Sequence, residues 1–248
     1  MKTPTPLVIV NFFCHKLGLY SLRARLASSV LTKKAGKCSE QSDYIDLCYT
    51  LFLRPPLNYV GWSFAPMQIR QEIQELLSVL SKRNVSAMLE IGTGYGGALF
   101  LFTRVMNSNA KLISLDLPDV NFFGGYESFR IPFFTNFAQQ NQHIFLVRAD
   151  SHSASTSSTV KAILKQQKLD FLFIDGDHTY EGIKLDFQMY SPLIRKGGLI
   201  ALHDICKHPP AMGCNIHKFW NEIKRKYKFQ EIISKQNQTW GGIGVLYT

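Results

Sequence analysis

The sequence predicts an α/β fold: a doubly wound, mostly parallel sheet closed on one edge by an antiparallel hairpin, with a helical extension at the N-terminus. Three observations carry this reading. Short apolar runs alternate five times with stretches of helical spacing between Pro66 and Leu202, the pattern of a parallel sheet covered on both faces. The first run ends in a glycine-rich turn that opens a helix, as strand–turn–helix units do. The last two runs, Phe229–Ile233 and Gly242–Tyr247, follow one another with no helix between them, which requires an antiparallel pair.

The elements can be justified in order. Ile69, Ile73, Leu76, Leu77 and Leu80 share one face of a helix that Pro66 is placed to start. Ala87–Ile91 is a buried strand, and a helix begins near Gly96 with Leu99, Phe100, Phe102 and Met106. Lys111–Asp116 is the second strand, followed by an aromatic and glycine-rich loop from Leu117 to Arg130 and a helix beginning near Pro132. His143–Arg148, Asp170–Ile174 and Gly198–Leu202 are the next three strands, separated by helices over Thr159–Gln166 and Tyr180–Ile194. A Cys/His/Pro-rich loop from Ile205 to Cys214 and a helix around Phe219–Tyr227 precede the hairpin. Residues 1–65 form a separate basic extension, and 66–248 the main domain. Within the extension, Lys16–Leu31 has fair helical spacing and could cover the sheet, make a homo-oligomer contact or lie on a membrane.

Composition narrows the class. With 46% hydrophobic and 19% charged residues, the chain is too apolar for a disordered segment. No apolar stretch approaches the ~20 residues that cross a bilayer. Leu7–Cys14 is too short for a span and lacks a signal cleavage site. The five cysteines are scattered without CxxC spacing, which argues against a disulfide framework or zinc knuckle and for a reducing, cytoplasmic setting. The net charge of +10 invites a nucleic-acid reading, but the excess lies at the two ends. Residues 71–206 carry 12 basic and 13 acidic side chains, an ordinary balance for an enzyme core, so no nucleic-acid partner is expected.

Gly92, Gly94 and Gly97 satisfy GxGxxG after a strand, and Asp116 ends the next strand 22 residues after Gly94. Glycines let a cofactor approach the main chain, and an acid at Asp116 can take both ribose hydroxyls. The pattern therefore points to an adenosine-containing cofactor, either a dinucleotide or S-adenosylmethionine. Glu90, inside the strand before the glycines, suits a cationic ligand and opposes a pyrophosphate. Asp150 and Ser151, just past the third strand, stand where an adenine amino group could be met. The alternative, an NAD(P)-dependent oxidoreductase, draws on the YxxxK spacing of Tyr180 and Lys184, but the glycines stand far from the N-terminus where that family carries them. An RNA-binding or RNA-modifying protein using the basic ends is a further alternative, and a non-catalytic cofactor-binding subunit another.

LEIGTGYGG, the Asp116 strand, RADSHS and FLFIDGDHTYEGIKLDFQMYSPLIRKGGLIALHD together resemble class I S-adenosylmethionine-dependent methyltransferases. The likeness is to the subgroup of cephalosporin-hydroxylase-like proteins and sugar or macrolide O-methyltransferases, and it runs from Pro66 to the terminal GGIGVLY. It implies a Rossmann-like seven-stranded sheet with an antiparallel last strand. It also implies O-methylation of a hydroxyl on a sugar or natural-product acceptor.

Metal-dependent relatives hold magnesium with an Asp after the fourth strand and an acidic pair after the fifth. Asp175 matches the first ligand and Asp204 the last, while His203 stands where a carboxylate is usual. The set Asp175, His203 and Asp204 is then a candidate site for a divalent metal, magnesium or manganese, with imidazole shifting preference away from magnesium. Asp175 would border the cofactor as well. Two residues compete as base: Asp177 matches the position that sugar O-methyltransferases use, and His178 has the suitable pKa. Asp177 could instead cap the helix at Tyr180, and His178 or His203 could be structural. Asp186 and Lys184 read as the solvated or packing face of that helix, and His208, Trp240 and the aromatic loop as walls of an acceptor pocket.

Overall fold

The computed structural model describes residues 19–53, 62–118 and 124–248. The apolar stretch Leu7–Cys14, the start of the expected helix at Lys16 and residues 119–123 of the aromatic loop lie outside the described residues.

Seven strands form one sheet: β1 (Ala87–Ile91), β2 (Lys111–Asp116), β3 (His143–Arg148), β4 (Leu169–Ile174), β5 (Ile194–His203), β6 (Lys228–Ile232) and β7 (Ile243–Tyr247). Their spatial order is β3-β2-β1-β4-β5-β7-β6. The first five are mutually parallel, and β7 runs antiparallel to both of its neighbours, β5 and β6. The strand order reverses between β1 and β4, which leaves a crevice at their carboxyl ends.

Eight helices flank the sheet: α1 (Leu19–Ala35), α2 (Gln41–Thr50), α3 (Arg70–Ser81), α4 (Gly97–Val105), α5 (Ile131–Thr135), α6 (Ala154–Leu164), α7 (Tyr180–Tyr190) and α8 (Ile216–Ile223). Several boundaries differ from the sequence reading. Segment 66–69 is not helical, so α3 starts at Arg70; α6 starts at Ala154, ahead of Thr159; α7 stops at Tyr190, and Ile194 already belongs to β5. In the last case Pro192 ends the helix, since proline cannot continue the backbone hydrogen-bond ladder.

Strand alternation divides the core in two. Met88, Leu112, Phe171, Phe173, Leu199 and Ala201 face the layer of α3, α4 and α5, together with α1 and α2. Leu89, Ile91, Ile113, Leu115, Leu172, Ile174, Ile200 and Leu202 face α6, α7 and α8. The N-terminal helices share the first core through Ala24, Leu31, Ile45 and Cys48, all buried. Because side chains two apart share a face, Glu90, Ser114, Asp116, Asp175 and His203 all continue the first set at the carboxyl edge.

Candidate active site

The glycine turn is built by close contact between strands. Asp175 N–H donates to Ile91 O (2.8 Å) and Gly92 N–H to Leu115 O (2.8 Å), so β1 is clamped between β4 and β2 where it ends. Gly92 has φ +90°, and a Cβ there would lie 2.0 Å from the Asp175 carbonyl oxygen. Gly96 and Gly97 are likewise packed, under the Phe134 ring and the Phe64–Pro66 backbone. Gly94 differs: with φ +50°, a Cβ there would meet no described atom within 4 Å. Of the motif's glycines, Gly94 is the one that borders open space, as a ligand cradle requires.

Asp116 fastens this turn. One carboxylate oxygen accepts from Thr93 N and Gly94 N, both at 2.8 Å. The other accepts from Leu117 N (2.8 Å) and Gly125 N (2.9 Å). Burial pushes its pKa up against the opposing pull of these four donors. Glu90 is fully buried; its Oε2 accepts from the Ser114 hydroxyl at 3.0 Å, and Oε1 has no partner among the described residues. Burial raises its pKa well above the carboxylate range, and the nearby Asp116 and Asp175 add to the rise. Three acids thus converge at the ends of β1, β2 and β4, an arrangement that favours a cation.

On the neighbouring strands the His/Asp residues meet. His203 Nδ1 lies 3.0 Å from Asp175 Oδ1 and 3.6 Å from Asp204 Oδ1. His178 spans the same two carboxylates, Nε2 at 3.6 Å from Asp175 and Nδ1 at 3.4 Å from Asp204. Burial works against charge on His203, yet Asp175 and Asp204 raise it to about 9; His178 is raised by the same two acids against the same opposition. Burial would lift Asp175, but His203 and His178 hold it well below the usual carboxylate range. Asp204 reaches the cluster because its backbone is left-handed, φ +59°, which re-aims a side chain that strand alternation would send to the other face. Its Oδ1 also takes the Gly241 N–H (3.0 Å) and faces His208 Nε2 at 3.2 Å.

Not every expected site residue enters this cluster. Asp177 is exposed, accepts the Thr179 N–H at 2.8 Å and lies over Gly182, where a Cβ would come 2.1 Å from its Cγ. Thr179, not Asp177, caps α7 by accepting from Gly182 N. Asp150 is exposed and accepts from His152 N (2.9 Å), while the Ser151 carbonyl takes the Tyr190 hydroxyl (2.7 Å). Tyr180 donates to Glu222 (2.6 Å) with the Lys184 ammonium over its ring, so the YxxxK pair of the oxidoreductase reading is engaged with α8.

Gln68, Tyr49 and Glu72 escaped the sequence reading. Gln68, 5% exposed, donates to Asp175 Oδ2 at 2.6 Å, and its Oε1 has no partner among the described residues. Tyr49 on α2 in turn donates to the Gln68 carbonyl at 2.7 Å. Glu72, wholly buried on α3, accepts from Ser234 N (3.0 Å), Gly242 N (2.8 Å) and Gln238 Nε2 (2.6 Å), clipping the β6–β7 loop beside Asp204. Asp186, expected on a solvated or packing face of α7, is 0% exposed. Glu72 alone left a sequence signal, since an acid on the apolar stripe of Ile69, Ile73 and Leu76 demands buried donors.

Residues 89–205 match the family described as a methyltransferase domain. The match places this stretch, somewhat under half of the chain, beside methyltransferase domains. The chain matches a solved O-methyltransferase, TomG of Streptomyces achromogenes, a structure in complex with SAM and a protein involved in tomaymycin synthesis. The identity is 15%, the TM-score 0.52, and the match covers 86% of this chain and 91% of that one. It also matches an O-methyltransferase from Bacillus cereus in complex with SAH, at 16% identity and TM-score 0.51, covering 91% of this chain and 100% of that one. An uncharacterized protein of Acanthamoeba polyphaga mimivirus is 26% identical over 173 residues, 67% of this chain and 75% of its own length. The seven-stranded sheet with its antiparallel strand is the fold that these solved methyltransferases share. Among the described residues, no helix is long and apolar enough to cross a membrane.

Proposed function

We propose that this chain is an S-adenosylmethionine-dependent methyltransferase that moves the cofactor's methyl group to a hydroxyl of a sugar or related natural product. The observation that carries the reading is the convergence of Glu90, Asp116 and Asp175 on one sheet face beside Gly94, the glycine that borders open space. The cofactor supplies a sulfonium-bound methyl group, electrophilic enough that the protein's task is to orient the acceptor and manage its proton. Glu90 and the unpartnered Gln68 Oε1 are suited to the ammonium end of the cofactor. Asp116 holds the glycine turn in register for the ribose, and Asp150 and Ser151 stand at the adenine end.

His178 is the base in this reading. It lies between two carboxylates that strengthen it as a proton acceptor, whereas Asp177 faces Gly182. Asp175, His203 and Asp204 fit a divalent ion, since one ligand atom from each lies within 4.8 Å of the others. These three residues would hold the ion, which would supply Lewis-acid polarisation of the acceptor hydroxyl. Trp240, 46% exposed beside the Gly241 that donates to Asp204, offers a flat apolar platform for a sugar ring. Exposed Leu26 and Val30 on α1 support the N-terminal region as a homo-oligomer contact.

The test is calorimetry with S-adenosylhomocysteine followed by methyl transfer from labelled S-adenosylmethionine to a panel of hydroxylated acceptors. His178→Gln should lower kcat by roughly 10²–10⁴-fold, the usual worth of a general base, while Asp177→Asn should leave it nearly unchanged. The reverse outcome returns the base to Asp177. Chelation without effect on turnover removes the metal from the scheme, and failure to bind the nucleoside ends the reading.

A further inference from the structure

The site above does not use Asp186, a carboxylate sealed beneath it. Asp186 is 0% exposed, and neither of its oxygens is in an aligned hydrogen bond among the described residues. A solvated ion is thus replaced by a buried one, an arrangement that costs stability unless it does something else. Its two oxygens face different functional turns. Oδ1 lies 3.4 Å from His152 Nε2, in the turn that carries Asp150 and Ser151. Oδ2 lies beneath Gly176, where a Cβ would approach it to 3.3 Å, in the turn that carries Asp175, Asp177 and His178.

The surroundings make this more than incidental packing. The Asp150–His152 turn is also held by its own Asp150–His152 bond, by the Ser153 N–H on the Asp150 carbonyl (3.2 Å) and by the Tyr190 hydroxyl on the Ser151 carbonyl. Tyr190 lies one helical turn beyond Asp186 on α7, so the Asp186 and Tyr190 ties to this turn come from one helix. That helix begins directly after His178. An alanine at Gly176 would press first on Ile91 Cγ2, at 3.0 Å, and then on Asp186 Oδ2, at 3.3 Å, so the catalytic turn packs closely on both.

We propose that Asp186, acting through His152 and the Ser151 side chain that both face it, is a positioning residue that sets the Asp150–Ser151 turn for reading the amino group of the cofactor's adenine and locks that turn to the catalytic one. This rests on the assignment of Asp150 and Ser151 to the adenine end. The carboxylate faces the imidazole at 3.4 Å, and that approach keeps the turn at the height where its polar atoms meet the base edge.

The experiment measures, by calorimetry, binding of S-adenosylhomocysteine and of its inosine counterpart, in which a carbonyl oxygen replaces the adenine amino group. The proteins are the wild type, Asp186→Ala, Asp186→Asn, His152→Ala and the double alanine variant. The wild type should prefer the adenine compound by about tenfold or more, as a site that hydrogen-bonds an amino group does. Asp186→Ala and His152→Ala should each bring that preference below about threefold, the double variant should go no further, and Asp186→Asn, which keeps an oxygen to face His152, should retain it. His152 is in a surface turn, with 24% of its side chain exposed, so its alanine variant reports even where Asp186→Ala does not fold. Equal weakening of both compounds with the preference intact, multiplying effects of the two alanines, or a wild type that binds both alike overturns the proposal. A wild type that binds neither compound overturns the cofactor reading together with it.

Discussion

Gly92 and Gly94 are two residues apart in one motif, yet alanine at each should have opposite consequences. At Gly92 the new methyl would lie 2.0 Å from the Asp175 carbonyl oxygen, and that backbone is held by the β1–β4 hydrogen bond. The clash cannot relax without parting two central strands, and φ +90° adds strain of its own. The expected loss is at least about 4 kcal/mol, the range of severe core disruption, which removes much of a typical domain's stability of about 5–15 kcal/mol. At Gly94 there is nothing described within 4 Å, and the cost is the left-handed backbone alone, about 1 kcal/mol. Gly94→Ala should therefore fold, with a urea midpoint close to wild type. Its methyl, however, would project into the cradle, so S-adenosylhomocysteine affinity should fall at least tenfold, about 1.4 kcal/mol. Urea denaturation and calorimetry on both variants decide the matter. A Gly94→Ala protein that binds the nucleoside as tightly as wild type would refute the assignment of the cradle. A stable Gly92→Ala protein would refute the strand-contact argument.

Asp186 also predicts a pH effect: burial lifts its folded-state pKa from 3.8 to about 6, so its contribution to stability is present at low pH and drains away as pH climbs through 6. The stability difference between wild type and Asp186→Asn, from urea curves, should shift against wild type by about 1.4 kcal/mol between pH 5 and pH 7.5, and a flat difference would contradict the buried-acid argument. Glu72→Ala strips the acceptor from Ser234 N, Gly242 N and Gln238 Nε2, and should cost at least about 3 kcal/mol. A urea-derived loss below about 1 kcal/mol would show that the clip is dispensable. Gly182→Ala must push Asp177 aside, because the new methyl would come 2.1 Å from its Cγ. If His178 is the base, kcat should stay within about threefold, and a hundredfold fall would restore Asp177 to that role.

The sheet was legible because each strand carries its own signal. AMLEI, KLISLD and DFLFI are short apolar runs closed by glycine or acid, and the β1 glycine turn announced the crevice. Once the strands are paired, alternation puts Glu90, Asp116, Asp175 and His203 on one face of the sheet. What sequence spacing could not give was anything that depends on one atom's aim. Asp204 joins the cluster only through a left-handed backbone, which no periodicity encodes. Gln68 falls in a non-helical stretch that the sequence assigns to a helix, and its role comes from tertiary placement over Asp175. The four glycines of the turn look equivalent on paper, while contacts from β4, Phe64 and Phe134, distant in sequence, separate three of them from Gly94. Asp186 was left open between the solvated and the packing face of its helix, because spacing alone does not say which side a single acid takes; in the fold it is buried.

The bond from Tyr49 to the Gln68 carbonyl, and from Gln68 onward to Asp175, gives the N-terminal helices a say in the chemistry. A fragment trimmed to begin at residue 66 would keep every strand and every acid discussed above. It would nevertheless lose the strut behind Gln68, leaving the amide free to swing off the carboxylate. Efforts to retune such an enzyme have two places to work: the floor, which is rigid sheet, and this outer brace, which sequence comparison of the domain alone would never single out.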